Sequence, residues 1–202
     1  ESVENITLRF MSHLLAKLSN DTIRISPLDL KSTNENKPVP QEVLDLLETD
    51  EYQSILKFFE ETVLFFEERN ATGVYKQVRS YAEKNGVTHR KKINIVNKET
   101  GDSEVREVFD YYEPNDPKEY VIILTDHVSL LNPESGMDLR ESINRFSEYM
   151  VMFRNRYNYI PVVIQQQNTE TMGLDAFKAG KVRPTITGLG DSKYTGRDCS
   201  VM

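Results

Sequence analysis

Three stretches of the chain carry residue types that can do chemistry. The first is Tyr120-Val-Ile-Ile-Leu-Thr-Asp126, an apolar run that ends in an acid. Ligands of open α/β sheets bind beyond the carboxyl ends of the strands. A carboxylate at that place can hold Mg²⁺, usually through water, beside nucleotide phosphates. The same residue can equally do no more than end a strand and cap a turn. The second stretch is Gln165-Gln166-Gln167-Asn168, directly after the apolar run Ile160-Pro-Val-Val-Ile164. An amide there would stand beside Asp126 on the same sheet edge, able to sense a terminal phosphate and pass its state to the following loop. A solvated polar turn is the competing reading. The third stretch, Lys178 to Arg197, holds five basic residues and one acid, a local charge of +4 in a chain of net charge −7. Gly188 and Gly190 within it allow close approach of backbone to a phosphate, with Lys193 alongside.

These groups converge only if the elements carrying them pack in one way. Leu139, Ile143, Phe146, Met150, Phe153 and Tyr157 form one apolar stripe at helical spacing, a long helix lying on a sheet. It joins the run ending at Asp126 to the run starting at Ile160. Strand, helix and strand with short connections make a βαβ unit and hence a parallel pair. The near-continuous apolar run before Asp126 predicts a central strand covered on both faces. Asp126 and the glutamines would then share one rim.

Elsewhere, Ile6, Phe10, Leu14 and Leu18 predict an amphipathic helix over residues 2 to 18. Residues 31 to 40 read as a surface loop. A helical pattern runs from Gln41 to about Phe59 with a break near Thr49-Asp50. Thr62 to Phe66 is β-branched and aromatic, which predicts a buried strand. Thr72 is a candidate cap for a helix with Val74, Val78, Tyr81 and Ala82 on one face, and Gly86 a candidate terminator. Residues 91 to 112 alternate in polarity around Asn97-Lys-Glu-Thr-Gly-Asp102, the pattern of a β-hairpin inserted at the domain edge.

Composition narrows the function classes. The 202 residues suffice for one α/β domain with a small insertion, and 38% hydrophobic against 28% charged residues supports a packed core. No apolar run approaches the roughly 20 residues needed to span a bilayer. No secretory pattern opens the chain, and the one cysteine, Cys199, has no internal partner. A cytoplasmic protein is expected. Net negative charge argues against a general electrostatic grip on nucleic acid, but a local basic segment can still hold phosphates. His127 beside one acid falls short of a metal site. His13 and His89 have no evident partners, Cys199 has no base nearby in sequence, and the pairs Phe58-Phe59 and Phe65-Phe66 read as core. The Arg90-Lys91-Lys92 cluster reads as a solvated hairpin base, or a contact with DNA or a neighbouring subunit.

The order of these parts resembles the DnaB-like replicative helicases, specifically the C-terminal RecA-type ATPase domain of phage members. The run to Asp126 is similar to a Walker B strand, and Asp126-His-Val-Ser-Leu-Leu131 to the family's Asp-Tyr-Leu-Gln-Leu-hydrophobic run. Arg183-Pro184, Gly188-Leu-Gly-Asp-Ser192 and Asp198-Cys-Ser-Val-Met202 resemble its Arg-Pro, Asp-Leu-Arg-Glu-Ser and Asp-Ala-Asp-hydrophobic succession. Glu1-Ser-Val-Glu4 resembles the acidic segment that carries its catalytic glutamate. The resemblance implies an α/β, RecA-like P-loop NTPase core spanning residues 1–202 in part, with a parallel sheet flanked by helices and the 91–112 hairpin inserted.

The same resemblance implies an ATP hydrolase and DNA helicase that couples Mg-ATP hydrolysis to translocation on single-stranded DNA as a homo-hexamer. A primase and other replisome proteins would be further partners, in a bacterial or phage-infected cell. Glu1 would polarise the attacking water and Asp126 would hold Mg²⁺. A glutamine among Gln165, Gln166 and Gln167 would report the terminal phosphate; motif alignment favours Gln166, strand length Gln167. Arg183, Gly188, Gly190, Lys193 and Arg197 would contact DNA, within or beside loops that line the ring channel.

No Gly-x-x-x-x-Gly-Lys-Ser/Thr occurs in the chain. The phosphate-binding loop is therefore expected upstream of Glu1 and the arginine finger beyond Met202, and these residues alone are expected to be inactive. Gly190-Asp191 replaces the family's Arg-Glu. Two other readings remain: a RecA-like recombination or regulatory ATPase without unwinding, and a non-enzymatic DNA- or protein-binding module on a degenerate ATPase fold.

Overall fold

The computed structural model of the protein describes residues 2–31, 37–96, 101, 103–166, 173, 178, 189 and 194–199. The chain divides into two compact units, Glu1–Phe66 and Glu67–Met202.

The first unit is helical among its described residues. Helix α1 (Val3–Leu18) begins at Ser2, whose hydroxyl accepts from the Asn5 N–H. The short α2 (Pro27–Leu30) follows. The helical pattern from Gln41 is interrupted where the sequence predicts, giving α3 (Gln41–Leu47) and α4 (Asp50–Thr62). Thr49 makes the break productive: its hydroxyl caps α4 by accepting from the Tyr52 N–H at 3.3 Å. Leu14, Leu15, Val43 and Tyr52 form the core, with Phe10, Met11, Ile55 and Leu56 packed against it. Two expectations fail here. Residues 63–66 have no regular structure instead of a strand. High β-propensity is of no use to a segment without a neighbouring strand to pair with. Of the phenylalanine pairs, Phe59 stacks on Phe10 with centroids 4.0 Å apart, but Phe58 is 66% and Phe66 42% exposed.

The second unit is mixed α/β. Helix α5 (Ala71–Lys84) is capped by Asn70, not Thr72; the Asn70 side chain accepts from the Gly73 N–H at 2.7 Å. Asn85 ends α5, and Gly86 opens β1 (Gly86–Val96). A Cβ at Gly86 would stand 2.5 Å from the Glu113 carbonyl oxygen, so the hairpin closes there only around glycine. β1 pairs antiparallel with β2 (Ser103–Pro114), in register from Gly86↔Pro114 to Val96↔Ser103, with an irregularity at His89/Arg90. The hairpin is longer at its base than the 91–112 expected. It is fastened to α5 by the Tyr112 hydroxyl donating to the Ala82 carbonyl at 3.0 Å and the Asn115 N–H donating to the Asn85 carbonyl at 2.8 Å.

Next come β3 (Ile122–Thr125), a 3-10 turn (Val128–Leu130), α6 (Leu139–Tyr157), β4 (Ile160–Val163) and the short α7 (Tyr194–Asp198). The predicted stripe of α6 forms the spine of the core: Ile143, Phe146, Met150, Phe153 and Tyr157 are buried, with Ala71, Val78, Ala82, Ile123 and Val128 in the same cluster. A capping box between Asp138 and Glu141 starts the helix, and Asn158 ends it in the left-handed region at φ 58°. β3 and β4 are parallel, as expected. Contrary to expectation, β3 is covered on one face only: Ile123 is buried, while Ile122 is 62% and Leu124 66% exposed. The core built on α6 reaches only the inward face. The described residues thus contain one parallel pair and one antiparallel hairpin, not a many-stranded sheet. Among them, no helix is long and apolar enough to cross a membrane.

The loop between β3 and α6 is pinned by Glu134. Its Oε1 accepts from the Thr72 N–H at 2.6 Å and its Oε2 from Arg145 Nη1 at 2.6 Å. Its own N–H donates to the buried Ser142 hydroxyl at 3.2 Å. Hydrogen bonding from Thr72, and then the Arg145 guanidinium, hold the Glu134 carboxyl below its ordinary range despite partial burial. A carboxyl with a depressed pKa stabilises the folded state fully above its unfolded value and loses that contribution as pH falls. Wild-type stability should therefore decline on acidification below about 4.5, the ordinary value of this carboxyl. Urea titrations at several pH values should show a shallower acid decline in Glu134→Gln, and identical declines would contradict the role given to this carboxyl.

In the first unit, Tyr52 is fully buried and its hydroxyl lacks a hydrogen-bond partner among the described residues; burial pushes its pKa up to about 12. Tyr52→Phe removes a desolvated, unsatisfied polar atom while keeping the ring. It should leave stability unchanged or raise it by about 1 kcal/mol, as read by urea midpoint. A loss of that size would mean that the hydroxyl has a partner.

Candidate functional site

The rim at the carboxyl ends of β3 and β4 is set by backbone hydrogen bonds. The strands pair from Ile122↔Ile160 to Thr125↔Val163. Past the paired residues, the Ile164 N–H donates to the Thr125 carbonyl at 2.9 Å, and the Val128 N–H to the Ile164 carbonyl at 3.0 Å. Asp126 follows Thr125 and Gln165 follows Ile164, so the two residues leave neighbouring strands at the same rim. The Asp126–His127 peptide is cis, and the chain then enters the 3-10 turn, anchored by the fully buried Val128. This anchor fixes where the Asp126 backbone leaves the sheet while its carboxylate stays in solvent, 71% exposed. His127 is tucked in at 24% exposure with Nδ1 3.9 Å from Asp126 Oδ1.

Gln165 is half-buried and Gln166 exposed. The Thr195 hydroxyl of α7 donates to Gln165 Oε1. α7 is held to α6 as well. The Ser147 hydroxyl donates to Asp198 Oδ2 at 2.5 Å, and Arg154 Nη1 to the Asp198 carbonyl at 2.9 Å. Arg197 lies on this helix, exposed, with its guanidinium 5.5 Å from the Tyr194 ring centroid. The strand end carrying Gln165 is thus joined through Thr195 to the helix carrying Arg197.

Of the residues singled out from sequence, the structure brings Asp126, Gln165 and Gln166 to one rim and ties the helix of Arg197 to it. Glu1, Gln167, Arg183, Gly188, Gly190 and Lys193 lie outside the described residues. The tie made by Thr195, Ser147, Arg154 and Asp198 is not foreseen in the sequence. The one signal that could have found it is Ser147, a small polar residue beside Phe146 on a helix face otherwise given to the core.

Chemically, the rim offers an exposed carboxylate and two amides. No group of three or more His, Cys, Asp or Glu side chains able to hold a metal occurs among the described residues. A single exposed carboxylate fits Mg²⁺ bound mainly by phosphate oxygens and water, the usual arrangement for that ion. It does not fit an all-protein metal cage.

Comparisons with protein-family models, curated proteins and solved structures give no match.

The tie between α6 and α7 has a measurable energy. A hydroxyl-to-carboxylate bond between part-buried groups should couple Ser147 and Asp198 by about 1 kcal/mol. Urea unfolding of Ser147→Ala, Asp198→Ala and the double variant closes the cycle. Additive effects, with zero coupling, would show that the contact does not form in solution.

Proposed function

We propose that this chain forms part of an ATP-driven, ring-shaped motor of the DnaB helicase type that moves along single-stranded DNA. One observation carries the reading: Asp126 and Gln165 leave adjacent parallel strands at the same rim, on the side where α/β sheets bind nucleotides. The residue order resembling that family adds the class of motor. Mg²⁺, when bound with ATP, would offset phosphate charge at this rim.

Asp126 would hold that ion through water, its exposed carboxylate set on a backbone anchored by the buried Val128. Glu1 polarises the attacking water. A glutamine of the 165–167 cluster registers the terminal phosphate. Gln165 is already hydrogen-bonded to Thr195, so a shift at the strand end reaches α7 and Arg197 directly. Arg197, with Arg183, Lys193 and the Gly188 and Gly190 amides, contacts DNA phosphates in a salt-dependent, sequence-indifferent way. Phosphoryl transfer of this kind is accelerated by charge stabilisation and positioning, with no covalent enzyme intermediate. A homo-hexamer supplies the subunit interfaces at which ATP sits, and a bacterial or phage-infected cytoplasm is the setting, with a primase among the partners.

The test is ATP turnover by the full gene product with and without single-stranded DNA. Turnover should be DNA-stimulated, and Asp126→Ala should lower it about a hundredfold or more. Unchanged turnover in that variant would remove Asp126 from the mechanism. Turnover without strand displacement would assign the chain to a recombination or regulatory ATPase. Absence of ATP binding would point to a non-enzymatic module.

A further inference from the structure

A second site is built where the hairpin, α5 and the last turn of α6 meet. A cavity of about 300 Å³ opens there, and its charged lining is Arg79, Arg90, Arg156 and Glu83. Three guanidiniums against one carboxylate leave the lining with a net charge of two positive, on a chain whose net charge is −7. Glu83 is committed: its Oε1 accepts from Arg79 Nε at 2.8 Å. Among the described residues neither Arg90 nor Arg156 has an ion-pair partner. The Arg156 guanidinium instead lies over the Phe109 ring, 5.2 Å from its centroid. Tyr75, Phe109 and Tyr157 supply the aromatic wall.

The site is preorganised. Tyr157 is buried and stacked on Phe153, and Tyr75 is stacked on Phe153 at 5.8 Å, so the core of the unit fixes the wall. Arg90 stands directly across from Phe109 in the hairpin register, which places a cation and a ring at one rung. The cavity is lined by residues of α5, the hairpin and the last turn of α6, whereas Asp126 and Gln165 follow the carboxyl ends of β3 and β4. It is therefore separate from the rim.

We propose that this cavity binds a nucleotide unit, its phosphate held by Arg90 and Arg156 and its base packed on the aromatic wall. Arginine forks match phosphate oxygens, and stacking on aromatic faces accepts any base. The volume suits one such unit, at the lower end of small-ligand pockets. A free nucleotide and one unit of a single strand share this chemistry. The site does not depend on the motor reading.

The experiment uses the full chain carrying Asp126→Ala, in EDTA, so that nothing at the rim contributes. The arginine Nε–H resonances of Arg79, Arg90 and Arg156 are followed while dTMP, inorganic phosphate, thymidine or a dT12 oligonucleotide is added. All three signals should shift with dTMP and saturate. Adding Arg90→Gln and Arg156→Gln should weaken binding about tenfold or more. The corresponding lysine variants, which keep charge but lose the fork, should fall between. Arg90→Gln alone serves as the variant least able to disturb folding, because Arg90 is exposed on a strand. Tighter binding of dT12 than of dTMP at these arginines identifies a strand as the ligand; equal binding identifies a free nucleotide. Silent arginine signals, thymidine acting as well as dTMP, phosphate alone acting as well as dTMP, or glutamine variants binding within twofold of the parent would each overturn the assignment.

Discussion

A single line of side chains along α6 has to satisfy every neighbour in the second unit at once. Ile143, Phe146, Met150, Phe153 and Tyr157 face inward, and α5, β2, β4, the 3-10 turn and α7 all pack on this helix. Close-packed interiors transmit displacement because they leave little free space to absorb it. Removing the Phe153 ring would open a hole next to Tyr75, on which the hairpin cavity depends, and in the same cluster as Val128, which sets the Asp126 backbone. Both candidate sites therefore take their geometry from one apolar stripe, and Tyr157 of that stripe lines the hairpin cavity itself.

The polar contacts of the unit join segments that the stripe alone would leave loose. Glu134 connects the loop after β3 to the first turn of α5 and to Arg145. Asp198 connects α7 to Ser147 and Arg154. The Glu134 carboxylate accepts from two helices, whereas Asp198 accepts from two turns of α6, through its carboxylate from Ser147 and through its backbone carbonyl from Arg154. Charge-assisted hydrogen bonds in part-buried positions suit this task, being directional where hydrophobic contact is not. The thread from Gln165 to α7 orients a segment too, through a neutral bond from the Thr195 hydroxyl to the Gln165 amide oxygen.

Legibility in the sequence tracks the range of the determining interaction. The stripe of α6, the break at Thr49-Asp50 and the hairpin are readable because each is set by periodicity or by a turn within a dozen residues, and the parallel pair follows from the helix that joins its strands. The rim is readable for the same reason: Asp126 and Gln165 each follow an apolar run, and one helix joins the two. Thr62–Phe66 misleads, because strand propensity is a statement about pairing and no partner strand is present among the described residues. Coverage of β3 misleads too, since an apolar run does not say which side chains meet a neighbour. Asn70 capping α5 in place of Thr72 is a shift of two residues, within the ordinary scatter of helix ends. The three-arginine cavity is invisible as a site. Arg90 reads only as hairpin charge, and positions 79, 90 and 156 belong to three elements that periodicity treats one at a time.

The outward face of the parallel pair has a practical consequence. Ile122, Leu124, Ile160, Val162 and Ile164 are each between 41% and 66% exposed, a contiguous aliphatic slab on two short strands. An apolar slab of this kind is a surface on which another can dock, while the brevity of both strands limits edge-to-edge pairing. A chain that meets its own kind does so with this slab facing outward.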